Sequence, residues 1–466
     1  MNRNASFLAA LSLAAAVASW APGARADTAE EGDPHDALVS EEAYPTAAQC
    51  KTCHEQIYNE WRSSNHAYAA ISPVFHKFEQ KINDLTSGTI GTFCVRCHQS
   101  GGTNLGEARW AALWERSQVS REGVTCITCH RVAEQYTRGT NGERRIIPGD
   151  IHQPVYGNIG GTGVARVVED KSYWKVATGP EERGTKIHTQ GILFAQLSKS
   201  EFCASCHQVA VNLGIKLEVV WDQYRASPAA AEGVTCQDCH MSVDPGRASG
   251  FATGPVAVVN GEPVDETRIH HNHAFAGPGY SIAHPGIFPH NADAEPWTIE
   301  DWLKFDFRAG WGTEEFEDAV DAGDSDVAFP EVWADRFDRE DARLIIDDNI
   351  EANLERQELR QRVMENGSRI DGPFFQGTPE VGRSLDFAYR ITNTNPGHNL
   401  PSGSLGAQPE IWLNVALVDP DGQTIWESGY VDSIGDMADL RSVDVLEGRL
   451  PADHQLVNLQ SKFLTT

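Results

Sequence analysis

Every cysteine of the 466-residue chain belongs to one of five copies of the pentapeptide Cys-x-x-Cys-His. The copies are Cys50, Cys53 and His54; Cys94, Cys97 and His98; Cys126, Cys129 and His130; Cys203, Cys206 and His207; and Cys236, Cys239 and His240. Two thiols three positions apart reach the two vinyl groups of one haem as thioethers, and the imidazole that follows then lies under the iron. A zinc ribbon uses paired Cys couplets without a His after each, and a disulfide needs no His at all, so the fivefold recurrence of the His selects covalent haem. The expected cofactors are five covalently bound c-type haems, each with two cysteines and one proximal histidine.

The rest of the chain must export and hold these groups. Arg3, the apolar run Phe7 to Trp20 and the small-x-small site Ala24-Arg25-Ala26 read as a signal peptide over residues 1–26. Its apolar run is shorter than the ~20 residues a membrane span needs and ends in Pro22-Gly23. The expected location is periplasmic or extracellular, with no membrane span. The formal charge is −28, and it becomes two units more negative when Arg3 and Arg25 leave with the leader. Such a field repels nucleic acid and steers basic partners.

Residues 27–40 form an acidic, Gly/Pro-containing leader, and residues 41–291 hold all five motifs. About 50 residues per haem is too few for each to have its own fold, so the macrocycles must supply much of the core. Within this region Phe93-Cys-Val-Arg-Cys-His-Gln99 with Glu122-Gly-Val-Thr-Cys-Ile-Thr-Cys-His130 recurs as Phe202-Cys-Ala-Ser-Cys-His-Gln208 with Glu232-Gly-Val-Thr-Cys-Gln-Asp-Cys-His240. The spacings, 32 residues from Cys94 to Cys126 and 33 from Cys203 to Cys236, imply two similar two-haem units with the Cys50 motif outside them. Short helices are expected over 47–64, 104–115 and 213–225, with loops such as 148–163 between them.

Residues 292–370 turn to Trp, Phe and carboxylates and read as an acidic helical connector, with a long helix over 335–365 stopped by Asn366-Gly367. Residues 371–466 alternate as strands do, at Leu385, Phe387, Tyr389 and Ile391 and again at Ile411, Leu413, Val415 and Leu417, with a turn at Asp419-Pro-Asp-Gly422. A C-terminal β-sandwich of immunoglobulin-like kind is expected there. The fold class is therefore a multihaem cytochrome c of short helices and loops wrapped around stacked haems, plus the connector and the sandwich.

The stretch from Cys50 to Ala67, CKTCHEQIYNEWRSSNHA, resembles the opening haem motif of the multihaem cytochromes related to the tetrahaem electron carrier of hydroxylamine-oxidising bacteria. Residues 200–208, 233–241 and 396–403 are similar to later segments of its larger relatives. The resemblance implies the fold and an electron-transfer role. The fifth motif and the appended β-region depart from the tetrahaem pattern.

Iron bound by a Cys-x-x-Cys-His motif keeps one further position, and a second imidazole there gives a low-spin centre suited to electron transfer, whereas an open position admits substrate. Of 17 histidines, five are proximal. His66, 12 residues after His54 in the family-like Trp-x-x-Ser-x-x-His segment, and His188, 15 residues before Cys203, are the first expected distal ligands. His271 and His273 resemble a ligand segment of the family, although an extended chain would put them on one face. His398 completes the set, in a loop stiffened by Pro396 and Pro401. His76, His152, His270, His284, His290 and His454 read as surface or loop histidines, and His35 belongs to the leader.

These features point to an exported electron carrier whose partners are redox proteins with a basic docking face, with an outer-membrane or cell-surface assembly docked by the β-region as a further reading. The alternative is a periplasmic oxidoreductase acting on a small nitrogen or sulfur compound at one five-coordinate haem.

Overall fold

The computed structural model describes residues 43–135, 141–210, 216–265, 267–324, 326–402 and 411–459. The expected signal peptide and acidic leader lie outside them. Around the five motifs the helices are mostly four to eight residues long. Helices this short do not persist alone in water, because nucleation costs more than so few hydrogen bonds return.

The helix expected over 47–64 is two helices, Ala47–Lys51 and Glu55–Arg62. His54 between them has φ −118° and ψ 45°, outside the helical region, so the chain turns at the motif itself. Over 104–115 the expectation fails. A helix covers Ser100–Leu105 and stops at Gly106, whose φ of 73° is left-handed, and only a short 3-10 turn, Leu113–Glu115, follows. Over 213–225 the helix is Val220–Arg225, preceded by a strand, Lys216–Glu218, that pairs with Val209–Ala210.

The sequence repeat is also a structural one. Each Glu-Gly-Val-Thr-Cys segment links a short helix, Gln118–Arg121 or Pro228–Glu232, to a motif helix, Cys126–His130 or Cys236–His240. The glycines take φ of 69° at Gly123 and 76° at Gly233. Gly123 has a second reason to be glycine: a Cβ there would stand 2.6 Å from the carbonyl oxygen of His66, and the next amide, Val124, donates to that same oxygen at 3.0 Å. The turn of one motif therefore seats the backbone of a histidine 57 residues earlier.

Apolar packing in this region is small and local. One cluster joins Tyr44, Val119, Ile127, Ile146, Phe194 and Phe202; another joins Ala47, Tyr58, Trp61, Tyr68, Ile71 and Phe288. A larger cluster lies in 292–350, where Trp302, Phe305, Trp311 and Trp333 pack on Ala342, Ile345 and Ile346 of the long helix. That helix runs Arg336–Gly367, capped by Asp335, which accepts from the Phe337 amide. Its inward stripe carries three polar residues: Arg339, Asn349 and Arg356. Asn349 donates to the carbonyls of Pro285 and Pro289 and accepts from Arg62 at 2.9 Å, which ties the helix to the first motif's helix.

Beyond Gly367 the chain passes directly into a strand, Ser368–Phe375, antiparallel to Phe387–Asn393. Val415–Val418 pairs with Thr424–Ser428, and Ile411–Leu413 with Val457–Leu459. The expected alternating segments are strands except at Leu385, which precedes the strand Phe387–Asn393, and among the described residues they form separate two-stranded ladders and no larger sheet. No helix of the described residues is long and apolar enough to cross a membrane.

Candidate haem-binding site

Four of the five proximal imidazoles face a second histidine at one common spacing. Ring centres stand 6.4 Å apart for His54 and His188, 6.4 Å for His130 and His273, 6.3 Å for His207 and His66, and 6.2 Å for His240 and His398. An imidazole nitrogen lies roughly 2 Å from a bound metal and about 1 Å from its own ring centre, so two rings on opposite sides of one ion stand about 6 Å apart. Rings stacked flat on one another come closer, as Phe75 and His98 do at 4.1 Å, whereas edge-on rings such as Phe194 and Phe202 reach 6.4 Å. The imidazoles are nearly parallel at His54–His188 (9°) and His240–His398 (10°), and tilted at His207–His66 (42°) and His130–His273 (34°).

The ring nitrogens are oriented as axial ligands require. Backbone carbonyls hold Nδ1 of four proximal histidines: Val256 for His54 (2.6 Å), Ala69 for His98 (3.3 Å), Tyr156 for His130 (2.8 Å) and Ala276 for His240 (3.2 Å). Nδ1 then carries the proton and Nε2 keeps its lone pair for a metal. His273 is set the same way by the carbonyl of His271, at 2.7 Å. Burial also keeps these imidazoles neutral, pushing His66 and His273 down to about 3 and His188 and His240 to about 4.

No disulfide joins any of the ten cysteines. Cysteines of different motifs lie close enough to influence one another's ionisation: Cys50 and Cys126, Cys97 and Cys206, and Cys203 and Cys236. Among the described residues no group of three or more His, Cys, Asp or Glu forms a cage for a bare metal ion. Paired axial donors flanked by paired thiols fit a c-type haem, whose own ring completes the coordination.

His98 differs from the other four. Phe75 lies flat on its ring, tilted by 7°, and no second histidine faces it at the common spacing among the described residues. The nearby His76 points Nε2 at the carbonyl of Ala70, 2.7 Å away. His271, grouped with the distal candidates, packs on Phe251 at 4.1 Å and is not brought opposite a proximal ring. Its carbonyl instead fixes the tautomer of His273. The doubling of ligands two residues apart is therefore resolved by giving one residue the ring and the other the backbone contact.

His398 reaches His240 from the far end of the chain. Its loop is fastened to the haem region by three bonds: Ala229 N–H to the Pro396 carbonyl (3.1 Å), and the Asn399 amide (3.2 Å) and Ser402 hydroxyl (2.8 Å) to Gln223. Asn395 lies 3.1 Å from both His398 ring nitrogens.

Three histidines expected at the surface or in loops are buried: His152, His270 and His290. Each has a partner that sequence spacing does not reveal. His290 stacks on Trp61 and points Nε2 at the Ala67 carbonyl; His152 is held by Asp150 at 2.7 Å. His270 pairs with Glu60 at 2.7 Å, and the other oxygen of Glu60 accepts from the His273 amide at 2.9 Å. Glu60 belongs to the helix Glu55–Arg62, so that helix positions the histidine that faces His130. A lone Glu gave no signal of this in the sequence.

Glu122 is buried at the junction of the first and third motifs, taking the Ala47 amide at 2.9 Å and the Thr125 hydroxyl at 2.7 Å. Burial pushes its pKa up to about 7, against the lowering effect of those two donors. A carboxyl whose pKa rises on folding stabilises the fold below its unfolded pKa and loses that contribution as pH rises through the folded value. We expect stability to fall between about pH 4.5 and pH 7 by on the order of 3 kcal/mol from this group, and Glu122→Gln to remove that part of the slope. Denaturant unfolding across this pH range, wild type against variant, checks it; identical slopes contradict it.

Residues 49–131, which carry the first three motifs, match the family model described as Cytochrome c554 and c-prime. No curated protein and no solved structure matches the chain. The family match supports a multihaem c-type cytochrome; the motifs at Cys203 and Cys236 and the β-strands lie outside it.

Proposed function

We propose that this multihaem c-type cytochrome is an exported pentahaem electron-transfer protein. The observation that carries the reading is the repeated distal-to-proximal spacing at His188–His54, His273–His130, His66–His207 and His398–His240. Bound at these pairs and at His98, haem supplies a one-electron iron couple at each position. The protein's own part is rigidity. Backbone carbonyls fix the imidazoles, and residues from distant segments close each pair, so these side chains would need little rearrangement when an electron moves.

Proximity of the motifs supports a continuous path. These neighbouring cysteines relate the first motif to the third, the second to the fourth, and the fourth to the fifth. Phe275 bridges the third and fourth, its ring 4.4 Å from His66 and 5.7 Å from His273. Closely packed haems, a separate acidic connector and a C-terminal β-sandwich docked through His398 belong to this reading, as do a periplasmic or extracellular location and a basic redox partner.

The charge of −28 gives the test. Attraction to a basic partner weakens as the Debye length falls from ~30 Å at 0.01 M to ~8 Å at 0.15 M ionic strength. Stopped-flow oxidation of the reduced protein by a small basic monohaem cytochrome should slow steeply over this range. A rate independent of salt contradicts charge-steered transfer.

A second reading has one observation in its favour. His98, facing Phe75 and no second imidazole, suits an iron that takes a small nitrogen or sulfur compound, which makes the chain an oxidoreductase. Carbon monoxide binding at one equivalent per chain supports it, and no binding rules it out.

A further inference from the structure

Arg356 is a buried cation without an acidic partner. It lies on the inward stripe of the long helix with 5 % of its surface exposed, and among the described residues no carboxylate pairs with it. Its Nη1 donates to the Ala274 carbonyl at 2.5 Å and Nη2 to the Phe275 carbonyl at 3.3 Å, while Nε is buried with no partner. Burial, and then the charge of Arg360, pull its pKa down to about 10, so it remains charged at neutral pH. An unpaired buried ion carries a penalty of several kcal/mol, which a fold sustains only when an anion meets it. Among the described residues no Asp or Glu fills that place.

The surroundings identify the anion. The two carbonyls that hold the guanidinium directly follow His273, the Phe275 ring lies 4.4 Å from His66, and the charge of Arg356 acts on the His66 imidazole. A carboxylate arriving here comes with the haem between His66 and His207, since each haem brings two propionates. We propose that Arg356 binds a propionate of that haem, making the long helix part of the haem site and raising that haem's reduction potential. The inference rests on the pentahaem reading above. The sign follows from charge: a cation beside the haem opposes the extra positive charge of ferric iron, so its loss favours the oxidised form.

Arg356→Gln keeps donors for the carbonyls but removes the charge, Arg356→Lys keeps the charge, and Arg360→Gln removes a charge one turn further on. Spectroelectrochemical titration of holoprotein should show Arg356→Gln lowering one midpoint so that its reduced-to-oxidised ratio falls about tenfold at fixed potential, about 59 mV for one electron. The affected haem should be the one whose low-spin signal disappears in His66→Ala. Arg356→Lys and Arg360→Gln should leave that midpoint near the wild-type value. If Arg356→Gln does not mature, wild type with 13C-labelled arginine decides: an infrared guanidinium band should shift as this haem is reduced and be lost in Arg356→Lys. Five unchanged midpoints, a shift in a different haem, or no redox-linked arginine band overturns the proposal. Absence of covalent haem by intact mass would instead overturn the pentahaem reading.

Discussion

Replacing His398 with alanine is expected to convert one of the five proposed haems from low-spin to high-spin and to add one carbon monoxide equivalent to the wild-type binding. His398 stands 6.2 Å from His240 with the rings nearly parallel, and its own Nδ1 is engaged by the Asn399 carbonyl at 3.0 Å. Alanine removes only the imidazole. The bonds from Asn399 and Ser402 to Gln223, and from Ala229 to Pro396, do not involve the ring, so the loop keeps its other attachments. Covalent haem content should stay at five, while limited proteolysis should cut the β-region faster because an iron bond no longer ties it down. Unchanged spectra would mean that His398 is not a ligand and that the β-region serves in partner docking.

Glu317→Ala is expected to destabilise the segment beneath the long helix by about 3–5 kcal/mol, the range for breaking a buried ion pair from one side. Glu317 is fully buried and meets Arg339, itself 3 % exposed, through both oxygens: Nε lies 2.9 Å from Oε1, and Nη2 holds Oε2. Burial pushes the Glu317 carboxyl up, but Arg339 and the Gly312 amide outweigh it, and its pKa ends below the ordinary value. Arg339 also caps the carbonyls of Trp333 and Ala334 and lies 3.8 Å over Phe329. Without the carboxylate the guanidinium stays buried and uncompensated beside the tryptophan cluster. Thermal unfolding followed by tryptophan fluorescence reads this. A loss under about 1 kcal/mol, as for a solvated pair, contradicts it.

The chemistry was legible in the sequence wherever it is local. Cys-x-x-Cys-His is a five-residue pattern, and the long helix announces itself through Asp335 at one end and Asn366-Gly367 at the other. Short helices were less legible, because His54 and Gly106 end elements whose apolar spacing continues past them. Partners across the chain were least legible. Spacing and likeness singled out His66, His188, His273 and His398, but which proximal histidine each one faces depends on contacts such as Gly123 against the His66 carbonyl. Nor could spacing tell His271 from His273, since the choice is made by the ring of one and the carbonyl of the other. Glu60 and Arg356 carry no motif at all; only burial beside the distal histidines marks them.

The electron-transfer reading rests on four irons that take two imidazoles each, with no second histidine opposite His98 among the described residues. Low-temperature electron paramagnetic resonance of the fully oxidised holoprotein, with spins quantified per chain, tests it most directly. The expected spectrum has four low-spin haems in two classes, two from the near-parallel pairs His54–His188 and His240–His398 and two from the tilted pairs His207–His66 and His130–His273, plus one high-spin haem. Two or more high-spin haems in a preparation whose mass shows all five attached would contradict it, and five low-spin signals would rule out the oxidoreductase reading at His98.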